Sequence, residues 1–195
     1  MMIKKPMYFV AILAVLFSAC KNDVKKEEAN EAIVTEMNDK TEETSNDTSD
    51  AQDNSATSEI IDGYLALKNA LVDTDSKKAA DAGTTLLAAF SSFDMASLST
   101  ADHKEYMEIA ENAIEQTEHI VESPMDHQRE HFEILSNDIS DLIALLGTDK
   151  TLYQDFCPMY NKNKGGMWIS ETKNIRNPYF GDKMMTCGKM QKQIN

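Results

Sequence analysis

From Thr100 to Leu146 apolar residues return every three or four positions, and this rhythm constrains the chain more than any other feature. Such spacing gathers the apolar side chains on one side of a helix, which must then be buried against something else. One predicted helix runs from Thr100 to Glu122, with Tyr106, Ile109, Ala110, Ala113, Ile114, Thr117, Ile120 and Val121 in period. The next is lined by Phe132, Leu135, Ile139, Leu142, Ile143 and Leu146. Ser123-Pro124-Met125-Asp126 supplies its start signal, a cap residue followed by Pro at the first helical position and an acid that can reach back. Gly147 is placed to end it.

Two earlier stretches follow the same period. Ile61, Tyr64, Leu65, Leu71 and Val72 form one face over Glu59 to Val72, with Lys68 at its edge and Thr57 or Ser58 as cap. Asp73-Thr74-Asp75 interrupts and offers a new cap for Ser76 to Phe93, whose inward residues are Ala79, Ala80, Gly83, Leu86, Leu87 and Phe90. Four amphipathic helices with short connections imply a mainly α fold, a four-helix up-and-down-like bundle. After Leu152 the pattern changes. Leu152–Tyr160 and Met167–Ser170 flank a Gly-rich turn and read as a hairpin, and Lys183–Cys187 reads as a third short strand. The expected fold is therefore the bundle with a small C-terminal β-hairpin and irregular cap, over about 152–188.

The N-terminal part reads differently. Lys4 and Lys5 precede an apolar run, Met7 to Phe17, that is too short for a good membrane span. Leu16-Phe17-Ser18-Ala19-Cys20 resembles the lipobox of bacterial lipoproteins, in which the leader is cut before a cysteine that becomes acylated. Residues 1–20 are accordingly read as a lipoprotein signal peptide, and Cys20 as the lipidation site. The opening Lys21-Asn22-Asp23 loosely resembles the export signals of surface lipoproteins in the Bacteroidota. Residues 21–57 are rich in Glu, Asp, Asn, Ser and Thr and lack aromatic residues, so they are read as a disordered acidic linker. They leave 58–195 as the folded domain. The net charge of −14 argues against nucleic acid as a partner and against a basic membrane-binding face.

Cys157 and Cys187 are the only cysteines besides Cys20. Cys157 and Met159 are two apart, as are Met185 and Cys187; in extended chain each pair projects from one face. If the two segments pair, four sulfurs converge, and soft thiolate and thioether ligands select Cu(I). Met184 and Met167 are alternates. His127 and His131 lie one helical turn apart, and imidazole suits copper and zinc alike, which makes His131 a further candidate ligand. The alternative is a plain Cys157–Cys187 disulfide, favoured outside the cytoplasm and by the even count of thiols left after lipidation. Closing that loop stabilises by about 3 to 4 kcal/mol on the chain-entropy model. His103 and His119 read as surface residues, and Trp168, Tyr179 and Phe180 as the aromatic packing between cap and bundle. No nucleophile elbow, phosphate loop or recognisable carboxylate pair is present, and the chain is read as no enzyme.

From Tyr64 onward the chain resembles a bacterial domain of unknown function found in Bacteroidota lipoproteins and fused to periplasmic adaptor (membrane-fusion) proteins of copper and silver efflux. The resemblance is carried by Tyr64-Leu65-x-Leu67-Lys68-x-Ala70-Leu71 and Gln128-Arg129-Glu130-x-Phe132. More strongly it is carried by Cys157-Pro158-Met159, Gly165-x-x-Trp168, and the run from Ile175 through Asn177-Pro178-Tyr179-Phe180-Gly181-Asp182-Lys183-Met184-Met185 to Cys187-Gly188. Cys-Pro-Met also resembles the heavy-metal modules of efflux adaptors, with Tyr160 where those modules carry His. The resemblance implies soft-metal handling in the cell envelope. The expected function is a lipid-anchored, outer-membrane Cu(I) or Ag(I) binding protein, held to the bilayer through acylated Cys20, that sequesters metal or passes it to a periplasmic efflux adaptor. Its expected ligands are Cys157, Met159, Met185 and Cys187, with His131 and Met184 secondary. The alternative is a structural or protein-interaction module with the disulfide and no metal.

Overall fold

The computed structural model describes residues 55–195; the leader with Cys20 and all but the last three residues of the expected linker lie outside them. Four helices come first: α1 (Ser55–Val72), α2 (Ser76–Ser92), α3 (Thr100–Glu122) and α4 (Met125–Leu146). Each packs on the next, and α1 also reaches α4. A small sheet follows, made of β1 (Leu152–Cys157), β2 (Gly166–Ser170) and β3 (Lys189–Ile194). It is antiparallel in the order β2-β1-β3. The expected bundle with a small cap is what the chain forms. Among the described residues no helix is long and apolar enough to cross a membrane.

The predicted stripes are the core. Ile61, Tyr64, Leu71, Leu86, Ile120, Phe132, Leu135, Ile139 and Leu142 are buried in one cluster that continues into Leu152, Cys157, Trp168 and Ile169 of the sheet. Each large apolar side chain removed from water contributes about 1.5–3 kcal/mol, so the helices are held mainly by this shared interior. The span of α3 is as its period predicts. Asp75 caps α2 by accepting from the Lys78 amide, and Ser99 caps α3 through Asp102 N–H.

Three local expectations are corrected. α1 begins at Ser55, so Thr57 is buried within the helix and caps nothing, and Ser58 instead donates to Asp149 at 2.6 Å. The start of α4 has no side-chain cap: Pro124 occupies the N-cap position, and Ser123 closes α3 through its own N–H to the Ile120 carbonyl. The third strand is Lys189–Ile194, while Gly181–Lys183 forms a 3₁₀ turn, so the cap runs beyond Gly188. That strand is almost wholly exposed and polar, and its β character comes from pairing with β1.

Polar contacts and one close backbone approach tie the cap to the body. The Tyr64 hydroxyl donates to Ser136 Oγ at 2.8 Å and accepts from the Ile169 amide at 3.1 Å, joining α1, α4 and β2. Lys68, 1% exposed, pairs with Glu171 at 2.7 Å, and Asn69 donates to the same carboxylate. Buried Arg129 donates to the carbonyls of Pro178 and Leu71 and to Thr74 Oγ1. Gly181, at φ +54°, approaches Thr74 and Arg129 so closely that a Cβ would collide with them. Around these ties Tyr179 stacks on Tyr160 and lies near Trp168 and Phe132, the aromatic packing expected between cap and bundle.

Candidate functional site

β1 alternates, with Tyr153, Asp155 and Cys157 on the buried side. Cys157 is the last residue of the strand, opposite Gly166, and is fully buried. Pro158 then turns the chain, so Met159 lies outside the strand with its side chain half exposed. On the other segment, Met185 lies in the turn that follows the 3₁₀ residues and Cys187 just after it. Neither Cys-x-Met nor Met-x-Cys is therefore an extended, paired segment. The turns at Pro158 and at Met185–Thr186 replace the extended backbone on which the four-sulfur face depended.

The two cysteines nevertheless meet. Cys157 Sγ and Cys187 Sγ are 2.8 Å apart. That is longer than the roughly 2.0 Å of a bonded pair but well inside ordinary sulfur contact. Asn177 organises this approach. It is fully buried; its Nδ2 donates to the Cys187 carbonyl at 2.6 Å, and its Oδ1 accepts from the amides of Tyr179 and Phe180. Its own amide donates to the Met185 carbonyl. An Asn before Pro whose side chain turns back on the following amides is the available signal for such a role. Gly188, at φ +145°, completes the arrangement by lying against the Trp168 ring, where a Cβ would clash.

The electrostatics of the pair are those of a resting thiol. The neighbouring Cys157 thiol, followed by burial, pushes the Cys187 thiol up to about 11, against an opposing contribution from the Met159 amide. Cys187 is thus protonated at neutral pH, unlike an activated nucleophile. Two residues upstream of Cys157, Asp155 is fully buried, and neither carboxylate oxygen has a hydrogen-bond partner. Desolvation raises it to about 6, with Lys68 opposing.

Residues 60–151 match the family model described as a protein of unknown function (DUF3347). That match runs from within α1 through α4 and stops before β1, so it takes in Tyr64, Lys68 and Arg129 but not the cap cysteines. No curated protein and no solved structure matches the chain.

The remaining predicted ligands are distributed as follows. Met184 and Met185 are half-buried in the cap. His131 sits between α3 and α4, where its partners are Gln116, His119 and His127. Those contacts place it in a histidine group of its own. His119 is exposed, as expected of a surface residue, and its ring stacks on that of His131. Among the described residues no three His, Cys, Asp or Glu side chains already converge on one point.

Proposed function

We propose that this chain is a lipid-anchored, extracytoplasmic interaction module, tethered through Cys20, whose cap is locked onto the helical body by a Cys157–Cys187 disulfide. The observation that carries the proposal is the 2.8 Å approach of the two sulfurs, one of them fully buried. Two sulfurs sharing a tetrahedral metal at thiolate bond lengths of about 2.3 Å stand about 3.8 Å apart, so a metal between these two needs the cap to open. Bridging needs only that the sulfurs close the small remaining distance. The module's role is to present a fixed surface, with a periplasmic efflux adaptor as the partner that the sequence resemblance suggests.

A second reading keeps the pair reduced and uses it to pass Cu(I) or Ag(I) to that partner, with Met159 and Met185 assisting. It is favoured by the exposure of Met159, 50%, beside the pair. The deciding experiment is an anaerobic Cu(I) titration of the protein as isolated, against a competing chelator. The bridged module withdraws no Cu(I) at the cap. Withdrawal that disappears in Cys157→Ser and Cys187→Ser overturns the proposal and installs the soft-metal reading.

A further inference from the structure

The facing surfaces of α3 and α4 carry a second constellation, independent of the cap. His127 and His131 are one turn apart on α4, and their Nε2 atoms face each other at 3.1 Å. The other nitrogen of each ring is already committed. His127 Nδ1 lies 2.8 Å from Glu130 Oε2, and a carboxylate oxygen only accepts, so this nitrogen carries the proton.

His131 Nδ1 lies 2.8 Å from Gln116 Oε1. The orientation of that amide follows from its neighbours. Asp138 accepts from Asn112 Nδ2, which leaves Asn112 Oδ1 to accept from Gln116 Nε2 and turns Gln116 Oε1 toward His131. His131 Nδ1 therefore also carries the proton. In the neutral rings both Nε2 atoms present lone pairs to each other. Two lone pairs at that separation repel unless a cation lies between them.

We propose that His127 and His131 grip a divalent late first-row metal ion through their two Nε2 atoms, Cu(II) ahead of Zn(II). The geometry fits. Nitrogens each about 2.0–2.1 Å from one ion stand about 2.9 Å apart at a right angle and about 3.3 Å at the tetrahedral angle. The 3.1 Å separation falls between the two. The partners on Nδ1, a carboxylate and an amide oxygen, are those that orient metal-bound imidazoles and strengthen them as ligands. Imidazole pairs suit copper and zinc, and copper stands higher in the affinity order. Glu130 and Glu115 supply the negative field around the rings, and half of the His127 side chain is exposed, which gives an ion access. His119 stacks on His131 with ring centres 4.5 Å apart and so buttresses that ring.

The test uses the full chain with any free thiols alkylated, so that the cap contributes nothing and the outcome is independent of the bridge. Cu(II) uptake is followed by electron paramagnetic resonance and Zn(II) uptake by equilibrium dialysis. A single ion with imidazole nitrogen coupling is expected. His127→Ala and His131→Ala should each lower affinity at least about 10-fold, and Glu130→Gln about 10-fold by loosening the ring it orients. His103→Ala, an exposed histidine elsewhere on α3, should change nothing, and circular dichroism verifies that each variant keeps its helices. Uptake that survives loss of both His127 and His131, or that falls equally in His103→Ala, overturns the proposal. So does a pair that titrates with protons and takes up no ion.

Discussion

The helical body and the cap are held together in different ways. The body is a continuous apolar interior drawn from residues at helical spacing, and many of its members are interchangeable in kind. The cap, with three short strands and an exposed third one, has little interior of its own. It is fixed by individually placed groups: Tyr64 and Arg129 from the body, Asn177 and Trp168 within, and the facing cysteines. A region built on a stripe tolerates imprecision. A region built on single contacts fails one contact at a time.

The hardest test of that difference is Trp168→Ala. The ring is fully buried in the cluster shared by both regions, so its loss should cost about 3–5 kcal/mol. Denaturant unfolding followed by far-ultraviolet circular dichroism should still give one transition at a lower midpoint. An unshifted helical transition would mean that the cap is an appendage. Next in size is the bridge. Reductant, or Cys157→Ser with Cys187→Ser, should cost about 3 to 4 kcal/mol relative to the oxidised protein, read as a lower denaturant midpoint.

The third prediction concerns pH. Asp155, raised from 3.8 to about 6, binds its proton more tightly folded than unfolded. Its contribution to stability is therefore full below pH 4, falls as pH rises from about 4 to about 6, and is gone above that. The fall amounts to roughly 3 kcal/mol. Denaturation across this range should show the native chain losing that much stability relative to Asp155→Asn. The smallest expected effect is that of Tyr64→Phe, which removes the bonds to Ser136 and the Ile169 amide at about 1–2 kcal/mol. Amide exchange at Ile169 should accelerate more than exchange in the centre of α3, because the lost bond belongs to the cap's attachment.

The same difference explains what was legible in the sequence. Helical period is a property of many residues at once, so the bounds of α3 and the stripe of α4 follow directly from it. Lys189–Ile194 carries no alternation because both of its faces are largely exposed, and only the β1 edge makes it a strand. The sulfur pairs failed as extended segments for a local reason: Pro158 and the turn at Met185–Thr186 bend the chain where the spacing argument needed it straight. The convergence of Cys157 with Cys187 survived, through Asn177 and Gly188. The role of Lys68 was half legible. Its place at the edge of the α1 stripe was clear, but its partner Glu171 lies 103 positions away, beyond the reach of any local pattern. The pairing of His131 with His127 is legible from their spacing, but its neighbours on α3, Gln116 and His119, are contacts that no local pattern announces.

The most direct test of the bridged cap is intact mass spectrometry of the protein isolated from the cell envelope without reductant, followed by peptide mapping. The account predicts a mass lower by two hydrogen atoms than that of the reduced chain, and a peptide pair joined through Cys157 and Cys187. A chain at its fully reduced mass, with both cysteines alkylated under denaturing conditions, would contradict it.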